Sequence, residues 1–288
     1  MAEQAYHVGS GLNIDNIEET TQAEIDSYLM AARRNRVPLY AMTANSVWLD
    51  NRPDIAKLHQ RILAHFRTNL PLAVSVMSFG HLYSYIYLGF EDGIMNEFRA
   101  LQLRGASRAQ LMETVMAAQL YSGIRGLQHV YRATWTFLRD FQDKPEPIPF
   151  PDEWSPDPAA FKAGLDTSTP DFTPGDRRAL EDWYMRNGGE IPKWVTFTAR
   201  RNPGFLKAFR LRWEGSFRGA LPKQVMPYLM LRHNTLNGLR DGIREAALLG
   251  RAWGMTDEWI FSAVLSAAFY FSGMESLNVV EDAIGDLL

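Results

Sequence analysis

Apolar positions along the chain recur at helical intervals. In PDIAKLHQRILAHF, which starts at Pro53, Ile55, Leu58, Ile62 and Phe66 fall three or four apart. AEIDSYLMAARRNR, which starts at Ala23, does the same with Ile25, Leu29 and Ala32. No run alternates apolar and polar residues between hairpin signals, so strands are not expected. Ser107 and Thr256 each follow a turn glycine and precede an apolar stretch, the position of a helix N-cap. The pattern predicts an all-α protein. PLAVSVMSFGHLYSYIYLGF, Pro71 to Phe90, has about membrane-spanning length, but serines and glycines recur along it. WIFSAVLSAAFYFSG, Trp259 to Gly273, is too short to span. Both read as buried helices of a globular core.

The same pattern occurs twice. GFEDGIMNEFRALQLRGASRA begins at Gly89, and GLRDGIREAALLGRAWGMTDE begins 149 positions later at Gly238. Asp92 matches Asp241, Gly93 matches Gly242, Ile94 matches Ile243 and Gly105 matches Gly254. Upstream, Pro53 and Pro203 each open an amphipathic run, and Leu70-Pro71 and Leu221-Pro222 precede the next helix. The expected organisation is an N-terminal extension (1–21), a first helical repeat (22–143), a linker (144–172) and a second repeat (173–288). The linker stretch KPEPIPFPDEWSPDP, with six prolines, excludes a helix.

Composition narrows the chemistry. The 288 residues are 46% hydrophobic, 12% aromatic and 22% charged, with a formal net charge of -3. No basic cluster is evident, so nucleic acid is not an expected partner. There is no cysteine, which removes disulfides, thiolate metal sites and thiol catalysis. The first residues lack the basic start and apolar core of a secretory signal, so a cytoplasmic protein with no membrane partner is expected.

The glycine turn, acidic helix start, apolar helix and small-residue break in GMTDEWIFSAVLSAAFYFSGMESLNVVEDAI resemble the carboxymuconolactone decarboxylase and alkylhydroperoxidase D superfamily. IPKWVTFTARRNPGFLKAF resembles the segment upstream of it. The resemblance implies two tandem, pseudo-symmetric repeats of the alkylhydroperoxidase D-like fold. The peroxidase branch carries a Cys-x-x-Cys pair, which would fall at Phe90 and Gly93 and at Leu239 and Gly242. Its histidine would fall at Glu97 and Ala246. A disulfide-exchanging peroxidase needs a thiolate, so that activity is ruled out. The decarboxylase branch has an acidic residue at the glycine position; here Asp92 and Asp241 stand one residue earlier. Single-repeat relatives form rings, which implies self-association, a homotrimer first and a homodimer second.

The candidate residues follow from spacing. His233, Asn237, Asp241 and Glu245 are four apart, as along one helix face, with Arg232, Arg240 and Arg244 beside them. Such a face can be a solvated stripe, a proton-transfer pair, or a metal site. The first half offers His81, Tyr83, Tyr85 and Tyr87, then Glu91, Asp92, Asn96 and Glu97. Asp241 is expected as base with His233 or a tyrosine as donor. Tyr83, Tyr87, Asp92 and Glu97 complete the catalytic candidates, and Asn237, Arg240, Arg244, Glu245 and Tyr85 the substrate-binding ones. The implied activity is a cofactor-independent decarboxylase, lyase or isomerase acting on a small oxygenated, anionic metabolite of aromatic or lactone origin. No metal and no cofactor are expected. The alternatives are a non-catalytic ligand-binding or scaffold protein and a metal-dependent lyase or oxygenase.

Overall fold

The computed structural model describes residues 11–34, 46–69 and 73–288. Among them every regular element is helical. In chain order these are α1 (Gln22–Arg34), α2 (Pro53–Asn69), α3 (Val74–Leu88), α4 (Glu91–Leu103), α5 (Arg108–Arg139) and α6 (Pro174–Gly188). They continue with α7 (Lys193–Arg201), α8 (Pro203–Gly215), α9 (Val225–Leu236), α10 (Arg240–Ala252), α11 (Asp257–Ala267) and α12 (Ser276–Ile284). A π turn, Ala268–Ser272, extends α11. No described helix is long and apolar enough to cross a membrane. α3 packs on α4 and α5, α9 packs on α10 and α11, and α3 meets α9.

Local chemistry explains where these helices start and stop. Ser107 Oγ accepts the Gln110 N–H at 3.2 Å, and Thr256 Oγ1 accepts the Trp259 N–H at 3.4 Å, as N-caps should. Gly105 (φ 97°) and Gly254 (φ 90°) end α4 and α10 in the left-handed region, where a side chain is strained. The turn closes alike in both places: Ala106 N–H to Leu101 O at 2.9 Å, and Met255 N–H to Gly250 O at 2.8 Å.

The starts of α1 and α6 are also built alike, with contacts that reach residues before 22 and 173. Glu24 caps α1 through the N–H groups of Thr21 and Asn13, both at 2.8 Å. Asp176 caps α6 through those of Thr173 at 2.9 Å and Asp166 at 2.7 Å. A fully buried lysine reaches each carboxylate, Lys57 from α2 at 3.1 Å and Lys207 from α8 at 2.9 Å. Burial alone would raise the Glu24 pKa. The backbone donors and the Lys57 ammonium outweigh it and hold the group at about 2. Asp176 is likewise driven well below the usual range.

After the turn glycines the spacing grows by one residue. Gly123 (φ 62°) interrupts α5, and its counterpart Gly273 (φ 88°) comes 150 positions later, not 149. The π turn absorbs the extra residue, with Gly273 N–H bonded to Ala268 O at 2.9 Å. It projects Phe269 against His59 and Phe66 of α2, with both centroid distances 5.4 Å. The α1–α2 unit has its own small core, including Leu12, Ile14, Tyr28 and Ala56.

Candidate active site

The four-residue spacing of His233, Asn237, Asp241 and Glu245 does not lie on one helix. α9 stops at Leu236, Gly238 takes φ 63°, and Leu239 N–H closes back on Asn234 O at 2.8 Å. The first half breaks in the same way at Gly89 (φ 78°), so Tyr83, Tyr85 and Tyr87 lie on α3 and Asp92 and Glu97 on α4. The turn redirects each side chain, and the residues separate into three environments.

A cavity of about 850 Å³ opens between α6, α8, α9 and α10. Its walls are aromatic: Trp183 and Tyr184 from α6, Trp194 from α7, Phe209 and Trp213 from α8, and Tyr121 from α5 of the other half. Glu245 faces this space from α10, and Trp194 Nε1 donates to its Oε2 at 3.1 Å. Burial raises its pKa to about 7, against the opposing pull of the Trp194 hydrogen bond and the Arg210 charge. Arg210 lies over Trp183 (3.8 Å) and Trp213 (4.5 Å). Its Nε donates to Glu214 at 2.9 Å and its Nη2 to Phe161 O at 2.6 Å, so its charge is already compensated. Burial, then the Glu245 charge, pushes the Tyr121 and Tyr184 phenols upward, so both remain protonated donors at neutral pH.

Neither family models, curated proteins nor solved structures yield a match to this chain.

At the cavity rim, Asp241 is 73% exposed and pairs with Lys193 at 3.1 Å. Arg240 is exposed there, and Arg244 is held by Asp286 at 2.8 Å and Ala283 O at 3.0 Å. His233 lies behind Tyr121, with ring centroids 4.2 Å apart, and between Tyr87 (4.7 Å) and Tyr83 (6.1 Å). Burial lowers its pKa to about 4, and its Nδ1 has no hydrogen-bond partner. It is a neutral imidazole sealed from the cavity. Asn237 is exposed and accepts the Tyr87 hydroxyl at 2.8 Å.

The first-half candidates gather elsewhere. Asp92 is exposed on α4. Glu97 is buried, 3.8 Å from His81 Nδ1. The Tyr83 hydroxyl is buried without a partner, and burial raises its pKa well above the ordinary value. Tyr85 packs edge-on to Phe90 (5.3 Å) and Phe271 (5.5 Å). None of these lines the cavity. Among the described residues no group of three or more His, Asp or Glu side chains is placed to hold a metal ion.

Gly93 and Gly242, where the resemblance would put a functional side chain, could take one only if a neighbouring side chain moved. A Cβ on Gly242 would lie 2.5 Å from Asn234 Oδ1, and one on Gly93 2.4 Å from Phe90 Cδ1 and 2.8 Å from Tyr85 Cγ. Asn234 and Tyr85 are counterparts at the 149-residue spacing, so each half fills the slot from its preceding helix. Sequence reasoning missed Tyr121, Trp183, Trp194, Arg210 and Asn234. The available signal was the aromatic density from Trp183 to Phe217.

Proposed function

We propose that the chain is a tandem member of the carboxymuconolactone decarboxylase and alkylhydroperoxidase D superfamily, and that its second half is a cofactor-independent acid–base enzyme. The substrate is a small oxygenated molecule of aromatic or lactone origin, carrying a carboxylate. The reaction is a decarboxylation, lyase cleavage or isomerisation. The observation that carries this reading is the half-buried Glu245 carboxyl at the wall of an aromatic cavity, its pKa raised to about 7 by desolvation. A group with that proton affinity exists in both forms at neutral pH and can take up or deliver a proton. Tyr121, kept protonated, can donate to an oxyanion formed next to it. The ring walls exclude water and favour a flat apolar body. Arg240, exposed at the rim, is available to a substrate carboxylate. Glu245, expected as a binding residue, takes the proton-transfer role that spacing had suggested for Asp241 and His233.

The recurrent turns and the two lysine–carboxylate clasps support the tandem reading. The exposed stripe of Ile124, Tyr131 and Trp135 on α5 supports self-association, and the family resemblance alone puts a trimer ahead of a dimer; light scattering that finds only monomer removes this part.

The direct experiment incubates the protein in deuterium oxide with benzoate, phthalate and lactone carboxylates and follows exchange and carbon dioxide release by NMR. Turnover by the wild type that disappears in Glu245→Gln is expected. Turnover retained by that variant overturns the assignment. A second reading, a ligand-binding protein without chemistry, draws on the exposure of Asp241 and the enclosure of His233. Ligand binding with no exchange on any probe selects it.

A further inference from the structure

α7 contributes Lys193 and Trp194 to the cavity lining and packs chiefly on α8. Its buried positions are Val195 and Ala199. The helical period therefore puts Lys193, Phe197, Arg200 and Arg201 on the opposite, outward side, with Trp194 at the edge next to the cavity. Phe197 is 56% exposed and Phe205, at the start of α8, is 59% exposed. Contrary to the expectation that no basic cluster is present, the chain from Lys193 to Arg212 has six Lys or Arg and no Asp or Glu, a local run that the overall net charge of -3 hides. Lys207 and Arg210 are turned inward to carboxylates, which leaves Lys193, Arg200, Arg201 and Arg212 outside. Leu239 and Arg240 continue the same mixture across the mouth. The acids at the rim are Glu190 and Asp241, and Asp241 is held by Lys193.

Exposed aromatics interleaved along the chain with exposed cations suit a surface that is apolar within and anionic at its face. A twofold contact with a second copy would set this patch against itself, cation against cation, and the apolar stripe that favours self-association lies elsewhere, at Ile124, Tyr131 and Trp135 of α5. We propose that the α7–α8 corner docks peripherally on an anionic lipid bilayer, and that the cavity opening beside it receives an amphiphilic substrate from that surface. The substrate half of this statement rests on the acid–base reading of the cavity; the docking half does not. No spanning segment is needed. Phe197 and Phe205 enter the headgroup boundary, and the arginines meet lipid phosphates.

The test is co-sedimentation of the full chain with phosphatidylcholine vesicles and with vesicles of phosphatidylcholine mixed with phosphatidylglycerol. Binding to the mixed vesicles alone, weakened by salt, is the expected result. Arg200→Gln and Arg201→Gln should each lower the partition about five-fold, the effect of one cation at such a surface. Phe197→Ser and Phe205→Ser should lower it further while thermal melts stay unchanged. Glu245→Gln should bind vesicles as the wild type does, which separates docking from chemistry. Absence of binding to the mixed vesicles overturns the proposal. So does binding that heparin reproduces and Phe197→Ser leaves intact, which would mark a general polyanion site. An oligomer that Phe197→Ser dissociates also overturns it, and assigns the face to a second copy.

Discussion

Tyr121 and His233 lie ring against ring, 4.2 Å between centroids, with the tyrosine on the cavity wall and the histidine behind it. The contact joins α5 of one half to α9 of the other. It accounts for the low proton affinity of His233, because burial is the cause of that shift and Tyr121 supplies part of the burial. Tyr121→Ala should admit water and move the His233 pKa from about 4 up toward its ordinary 6.5. Titration of the imidazole C2 proton by NMR reads this directly. A value that stays at about 4 would mean that Tyr83 and Tyr87 exclude water without it.

Glu245→Gln keeps the shape of the side chain and removes the titratable proton. The expected loss of turnover is about 100- to 10,000-fold, the usual worth of a positioned acid or base. Stability gives an independent signature. The carboxyl rises from 4.5 to about 7 on folding, so the folded state holds its proton where the unfolded chain has lost it. The wild type should therefore lose stability as pH rises from 4.5 to about 7, and the variant should lack this fall. Thermal melts of both proteins across that range provide the comparison.

Asp241→Asn should change little. The carboxylate is mostly exposed, and its pair with Lys193 is of a kind worth about 0–1 kcal/mol. Turnover and melting temperature near wild type are the expected outcome. A large fall in rate with a normal melt would return the base role to Asp241.

Lys207→Met leaves Asp176 buried without its cation. Removing one member of a buried pair costs about 3–5 kcal/mol, measurable by urea unfolding. Asp176 and Glu24 are both held below their ordinary values, so their contributions are present above the unfolded values of 3.8 and 4.5 and disappear as pH falls further. Wild-type unfolding should steepen below that range. A Lys207→Met protein as stable as wild type would show that the clasp adds nothing.

Helix content and the turn glycines Gly105 and Gly254 were legible because both depend on local pattern. The caps at Thr21 and Thr173 were legible too, since each threonine is followed three residues later by an acid, but this signal was passed over. Glu245 was recognised as a site residue, though not for its burial. The cavity wall it shares includes Trp194 and Tyr121, 51 and 124 residues away in sequence, and no periodicity within α10 reports them. The fourfold spacing misled because a single left-handed residue, Gly238, turns the chain between Asn237 and Asp241. A helix read from spacing alone passes straight through such a turn.

The crossing of Tyr121 into the opposite half has a consequence for how the molecule can be divided. The second half carries its own capping clasp, its own turns and nearly every wall of the cavity, and in those respects it resembles a separable module. Its cavity still borrows one ring from residues encoded before the proline-rich connector. A polypeptide restricted to residues 144–288 would therefore expose His233 and leave Glu245 in wetter surroundings. Supplying the first half as a separate polypeptide would be expected to restore both by fragment complementation.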